Sequence, residues 1–135
     1  MPDQFKVNFG DAKEIVQPPE GNYTLIVSSY QTKQAAKEES RSKGFNISLR
    51  FKIDDPDYSD YTVYHNIWVH YENPFGAKEF FDALTGKDLE DDSLDLGDAD
   101  LYVGESVGAF LKLEHYTANN GDERTKLSPE KFYSV

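Results

Sequence analysis

The sequence contains no cysteine among its 135 residues, so it has neither a disulfide framework nor a thiolate-bound metal site. It has no apolar run near the roughly 18 residues that a membrane-spanning helix requires. Met1–Gly10 shows no apolar segment behind a basic start, which argues against a secretory signal. From these absences we expect a cytoplasmic protein without membrane association.

Signatures of catalysis are missing as well. Gly86-Lys87-Asp88 lacks the upstream glycine and the serine or threonine of a phosphate-binding loop. The Gly-x-Ser-x-Gly elbow of serine hydrolases does not occur. We therefore expect a protein that is not an enzyme and has no catalytic residues.

Metal-binding patterns fail on spacing. His65 and His70 are five residues apart on a predicted strand, so their side chains point to opposite faces, which disfavours a shared metal ion. An EF-hand loop starting at Asp88 needs glycine at its sixth position and glutamate at its twelfth, where the chain has Ser93 and Ala99. The sequence thus predicts no metal site and no cofactor.

The residues that are present suit one folded domain. Hydrophobic residues make up 38% and aromatic residues 14% of the chain, too many for a disordered protein. The length of 135 residues is also typical of a single domain. Pro18-Pro19-Glu20-Gly21 separates residues 1–17, an N-terminal arm or edge strand with alternating Phe5, Val7 and Phe9, from a domain over residues 18–135.

Five strand-like runs, interrupted once by a helix, determine the predicted fold. This order predicts an all-β protein, an OB-fold-like five-stranded Greek-key barrel with one helix between strands 3 and 4. A β-sandwich would give similar strand spacing and is the alternative. The predicted strands are Asn22–Lys33, Lys43–Ile53, Tyr61–Tyr71, Glu105–Tyr116 and Glu123–Tyr133.

The helix is predicted from its boundary residues and its apolar stripe. Asn73 is expected as the N-cap and Pro74 as the first helical residue. Phe80 and Leu84 contribute to the stripe, and Gly86 ends the helix. We expect this helix to plug the barrel.

The net charge of −11 argues at first against a nucleic-acid partner, but the charges are unevenly distributed. The stretch from Gln31 to Lys52 holds six cations and only two acids. Two predicted loops together hold 11 of the 25 acids: Asp54, Asp55, Asp57 and Asp60 in one, and Asp88, Glu90, Asp91, Asp92, Asp95, Asp98 and Asp100 in the other.

Alternation along the strands brings cations and aromatic rings to one predicted surface. In the second strand Arg50 and Lys52 share the polar face, and in the third strand Tyr64 and Trp68 do. Bases stack on aromatic planes while Lys and Arg follow the phosphates, so this mixture suits sequence-tolerant binding of a single strand. The alternative is that Trp68, Tyr64 and Tyr116 cover a second small core under the N-terminal segment. The candidate DNA-binding residues are Lys33, Lys43, Arg50, Lys52, Tyr64, Trp68, Lys112 and Tyr116.

Several short segments resemble a family of small phage and prophage proteins that is known only as a domain of unknown function. They are Pro19-Glu20-Gly21-Asn22-Tyr23, Gly44-Phe45-Asn46-Ile47-Ser48-Leu49, Trp68 before Phe80-Phe81-x-x-Leu84, Val103-Gly104-x-x-Val107-Gly108, and Tyr116 with Asn119 and Asn120. The resemblance implies a phage-encoded single-stranded-DNA-binding protein in the bacterial host cytoplasm. It also implies phage replication or recombination proteins as partners.

A second function from another class stays open. Two acidic loops on a small protein can imitate a phosphate backbone, so an acidic protein-interaction module or DNA-mimic inhibitor would bind a protein and not DNA. The sequence also leaves a homodimer open, because residues 1–10 or Phe132-Tyr133 would allow two copies to pair across a two-fold axis.

Overall fold

The computed structural model describes residues 17–86 and 95–135. They form one open sheet of five antiparallel strands and one helix: β1 (Gly21–Gln34), β2 (Gly44–Ile53), β3 (Thr62–His70), α1 (Phe75–Thr85), β4 (Ser106–Thr117) and β5 (Glu123–Tyr133). Each predicted strand is confirmed, with boundaries within one residue of those observed. The predicted N-terminal arm or edge strand, residues 1–17, lies outside the described part except for Gln17.

Strand β1 lies at the centre of the sheet, whose order is β3-β2-β1-β4-β5. Its second half pairs with β2, from Leu25 opposite Ile53 onward, and its first half pairs with β4. The sheet curls, and its two edge strands come close to each other. The Leu127 amide of β5 donates to the Tyr61 hydroxyl, just before β3, at 3.0 Å. The curled sheet therefore encloses one face and exposes the other.

The enclosed face carries the core. Alternate residues of β2 and β3, including Leu49, Phe51 and Val63, are almost fully buried, as the alternating sequence predicts. In β1 the alternation breaks at a bulge between Val27 and Ser29, after which Tyr30 points inward. The bulge keeps both halves of this long strand packed on the same core.

Helix α1 packs its apolar stripe against this core. Phe80 lies 5.9 Å from Phe51 and 5.0 Å from Phe132, measured between ring centroids. The predicted cap is wrong by one position: Pro74 is the N-cap, because its carbonyl accepts from the amides of Ala77 and Lys78, and Asn73 lies outside the helix. Gly86 ends the helix with φ of 71°, as predicted.

Two tyrosines anchor the segment before β4. Tyr30 donates to the Leu96 carbonyl and Tyr102 donates to the Asp95 carbonyl, each at 2.6 Å, and their ring centroids lie 4.9 Å apart. Burial is the main cause that raises the pKa of both hydroxyls. In residues 17–86 and 95–135, no helix has the length and apolar content that crossing a bilayer requires.

Candidate functional site

The solvent-facing surface of β1, β2 and β3 is the candidate site, and we call it the outer face. The register aligns Arg50 of β2 with Tyr64 of β3 and with Ser29 of β1. A second row aligns Lys33 of β1 with Asn46 of β2 and Trp68 of β3. Lys52 lies opposite Thr62. Five of the eight predicted residues therefore share this face: Lys33, Arg50, Lys52, Tyr64 and Trp68.

The two aromatic residues of the outer face lie outside the core. Tyr64 is 63% exposed and Trp68 is 39% exposed. The alternative of a second core under the N-terminal segment falls on residues outside the described part. The Arg50 guanidinium carbon lies 5.6 Å from the centre of the Tyr64 ring, which is cation–π geometry. The Trp68 indole lies against Gly44 on the neighbouring strand. Both rings are held in place and still offer area for stacking.

Lys43 lies beside the outer face, at the end of the loop that joins β1 to β2. Its carbonyl accepts from the Tyr71 amide at 2.8 Å, which fixes the loop end against the end of β3. Earlier in this loop the Arg41 Nε donates to the Ala35 carbonyl at 3.1 Å. The Lys43 side chain is exposed next to the strand that carries Arg50. Lys43 precedes β2, so the strand register does not assign its side chain to the outer face.

Tyr116 and Lys112 are on β4, outside the outer face. Tyr116 and Tyr64 line opposite walls of one cleft of about 360 Å³, which lies between the start of β3 and the β4–β5 hairpin. Lys112 lies opposite Ser128 of β5, and its ammonium is 3.9 Å from the Glu130 carboxylate. The register makes Lys112 a neighbour of neither Arg50 nor Lys52.

Lys126 was not among the predicted binding residues, and Asp60 was predicted only as part of an acidic loop. Lys126 places its ammonium 5.5 Å from the centre of the Tyr116 ring, and Asp60 lines the same cleft. Elsewhere, Tyr71 lies just after β3 and is 62% exposed, with its ring centroid 5.8 Å from that of Phe45. Asn120 and Gly121 form a turn pattern typical of hairpins, which is the sequence signal that β4 and β5 are neighbouring strands.

The histidines have separate surroundings. His65 faces the interior, where its ring centroid lies 5.4 Å from that of Phe132, and burial lowers the pKa of its imidazole. His70 accepts from the Glu72 amide through Nδ1 at 3.2 Å. Within the described ranges no three His, Asp or Glu side chains form a group suited to a metal ion.

Comparison of the chain with known protein-family models and with curated proteins finds no match. The resemblance to phage proteins therefore stays a prediction, and the chemistry of the outer face must carry the functional assignment.

Proposed function

We propose that this chain is an OB-fold-like, five-stranded Greek-key barrel that binds single-stranded DNA without catalysing a reaction. We further propose that it is phage-encoded and acts in DNA replication or recombination in the bacterial host cytoplasm. The strand order supports the fold, because β1 pairs with both β2 and β4 while β3 and β5 approach each other. The helix between β3 and β4 agrees with the same plan.

One observation carries the binding proposal: exposed aromatic rings and unpaired cations share one face of a strongly acidic chain. In OB folds the face of strands 2 and 3, flanked by the β1–β2 and β4–β5 loops, binds oligonucleotides. Here that face holds Arg50, Tyr64 and Trp68. Among the described residues no carboxylate forms an ion pair with Lys33, Arg50 or Lys52. Stacking and phosphate contacts are therefore available together.

The test is fluorescence anisotropy of a labelled oligo-dT of about 30 nucleotides, long enough to span the site of one OB fold. We expect saturable binding that weakens as salt rises. Trp68→Ala removes a stacking plane worth about 1–3 kcal/mol, so its Kd should rise about 5- to 150-fold. Arg50→Ala should weaken binding too, since it removes a cation and its contact with Tyr64.

Conservative variants separate binding from folding. Trp68→Phe keeps an aromatic plane and should retain much of the affinity for oligo-dT. If the indole had only a structural role, Trp68→Phe and Trp68→Ala should lose the same affinity. Arg50→Lys keeps the charge and should lose less than Arg50→Ala. If the wild-type protein binds no oligo-dT at low salt, the proposal fails, and the acidic surface becomes the candidate for binding a protein partner.

A further inference from the structure

The cleft between Tyr64 and Tyr116 lies where the two edge strands meet. Each ring has a cation over one face, Arg50 at 5.6 Å and Lys126 at 5.5 Å from the ring centres. Tyr64 is 63% exposed and Tyr116 is 40% exposed, so each ring keeps surface that another planar group could cover. Two tyrosines from separate strands, each backed by a cation, suit one flat and electron-rich ligand near phosphate.

A hydrogen bond joins the two walls of the cleft. Strands β3 and β5 are not paired in the sheet, so no ladder closes the gap between them. Tyr61 and Leu127 both line the cleft, and the Tyr61 hydroxyl accepts from the Leu127 amide at 3.0 Å. This bond and the contact between the His65 and Phe132 rings, 5.4 Å between centroids, hold the two strands close together. The cleft is therefore preorganised, which lowers the entropy cost of binding.

Two polar residues with different hydrogen-bonding groups, Asp60 and Thr62, line the cleft. Asp60 is exposed, its carboxylate only accepts hydrogen bonds, and no hydrogen bond or ion pair joins it to another described side chain. Cytosine offers an amino donor where thymine offers a carbonyl acceptor, and Asp pairs with the cytosine amino group. Thr62 also lines the cleft, and a threonine hydroxyl can donate or accept, so it would serve either base.

Resting on the single-strand binding proposed above, we propose that this cleft holds one unpaired nucleobase and selects a base that carries an exocyclic amino group. The outer face then binds any sequence, while the cleft adds a preference at one position. Tyr64 belongs to both surfaces, so the strand passes from the outer face around the edge of β3 into the cleft.

The test compares labelled oligo-dC with oligo-dT of the same length, since the two differ in the group that Asp60 meets. The wild-type protein should bind oligo-dC about tenfold more tightly, as expected for one hydrogen bond to a charged group. Asp60→Asn provides both a donor and an acceptor, so the ratio of the two Kd values should fall towards one.

Asp57→Asn is the matched control, because Asp57 is exposed in the same loop and does not line the cleft. It removes the same charge and should leave the oligo-dC to oligo-dT ratio near ten. Tyr116→Ala should lower the ratio and spare most oligo-dT affinity. Equal binding of both oligonucleotides by the wild type overturns the cleft proposal while single-strand binding stands. Binding of neither overturns the proposed function itself.

Discussion

Gly44 decides how closely β2 approaches β3 at the end of the outer face. A Cβ atom at this position would lie 2.0 Å from the Val69 carbonyl oxygen and 3.0 Å from Cζ2 of Trp68. The first neighbour is backbone in a paired strand and cannot rotate away. Glycine is therefore required here because a larger side chain would not fit, and not because of its φ angle. The Trp68 indole lies against this glycine.

Gly44→Ala should lower the free energy of unfolding by about 1–3 kcal/mol, the usual cost of overpacking. It should also change the emission of Trp68, the single tryptophan of the chain. Urea unfolding followed by fluorescence checks both effects.

Gly76→Ala is the control, because its nearest neighbour, the Trp68 carbonyl oxygen, would be at an ordinary 3.7 Å. This substitution in α1 should leave stability unchanged or raise it by about 0.5–1 kcal/mol. Equal losses in both variants would contradict the role given to Gly44.

Single side chains were predictable from the sequence where alternation alone decides their direction. Arg50 and Tyr64 face outward because each strand around them alternates strictly. Tyr64 and Tyr116 line the same cleft because of how far the sheet curls. No local sequence pattern predicts the extent of this curl.

Side chains from other elements accept hydrogen bonds from backbone amides on the free edge of β5. The Leu127 amide donates to the Tyr61 hydroxyl, and the Phe132 amide donates to Glu79 Oε1 of α1 at 3.2 Å. Pro129, between them, has no N–H to satisfy. Exposed strand edges invite pairing with other chains, so these contacts protect the edge without completing a β3–β5 ladder.

Tyr61→Phe should destabilise the protein by about 1–3 kcal/mol, since it leaves the amide of a buried residue without its acceptor. Urea unfolding gives the loss, and hydrogen exchange at the Leu127 amide should become faster. Tyr58→Phe is the control, because the Tyr58 hydroxyl makes no hydrogen bond within the described part of the chain. Two equally small effects would show that Tyr61 does not hold the edge.

The sequence predicted the strands and the end of the helix better than the β-bulge and the helix start. The five strands and the end of α1 follow from alternation and from Gly86, which are local signals. The bulge after Val27 was not predicted, because Ser28 and Ser29 give no apolar pattern that marks a change of register. The helix start was misassigned because Asn73 resembles a cap, whereas the Pro74 carbonyl makes the first helical contacts.

The net charge of −11 coexists with a basic outer face because acids and cations occupy different parts of the chain. Lys33, Arg50 and Lys52 come from adjacent strands and Lys43 from the adjoining loop. Acids such as Asp55 and Asp57 lie in connections between strands. Such a separation would attract a phosphate backbone to one face while weakening attachment elsewhere.

This separation predicts a modest salt dependence of DNA binding. With four cations on or beside the outer face, the slope of log K against log salt for a single strand should be about −3. Lys52→Gln should reduce its magnitude by about 0.7, the value of one phosphate contact. Lys112→Gln should leave the slope unchanged, because that ammonium already lies 3.9 Å from Glu130.

Anisotropy titrations between roughly 50 and 200 mM salt measure these slopes. Equal changes for Lys52→Gln and Lys112→Gln would show that charge acts through the protein as a whole and not through the outer face. A DNA-mimic would behave differently, because its acidic loops would repel oligonucleotides at every salt concentration and bind a basic protein instead. The salt slope and its dependence on Lys52 thus separate a DNA-binding face on an acidic protein from a protein that imitates DNA.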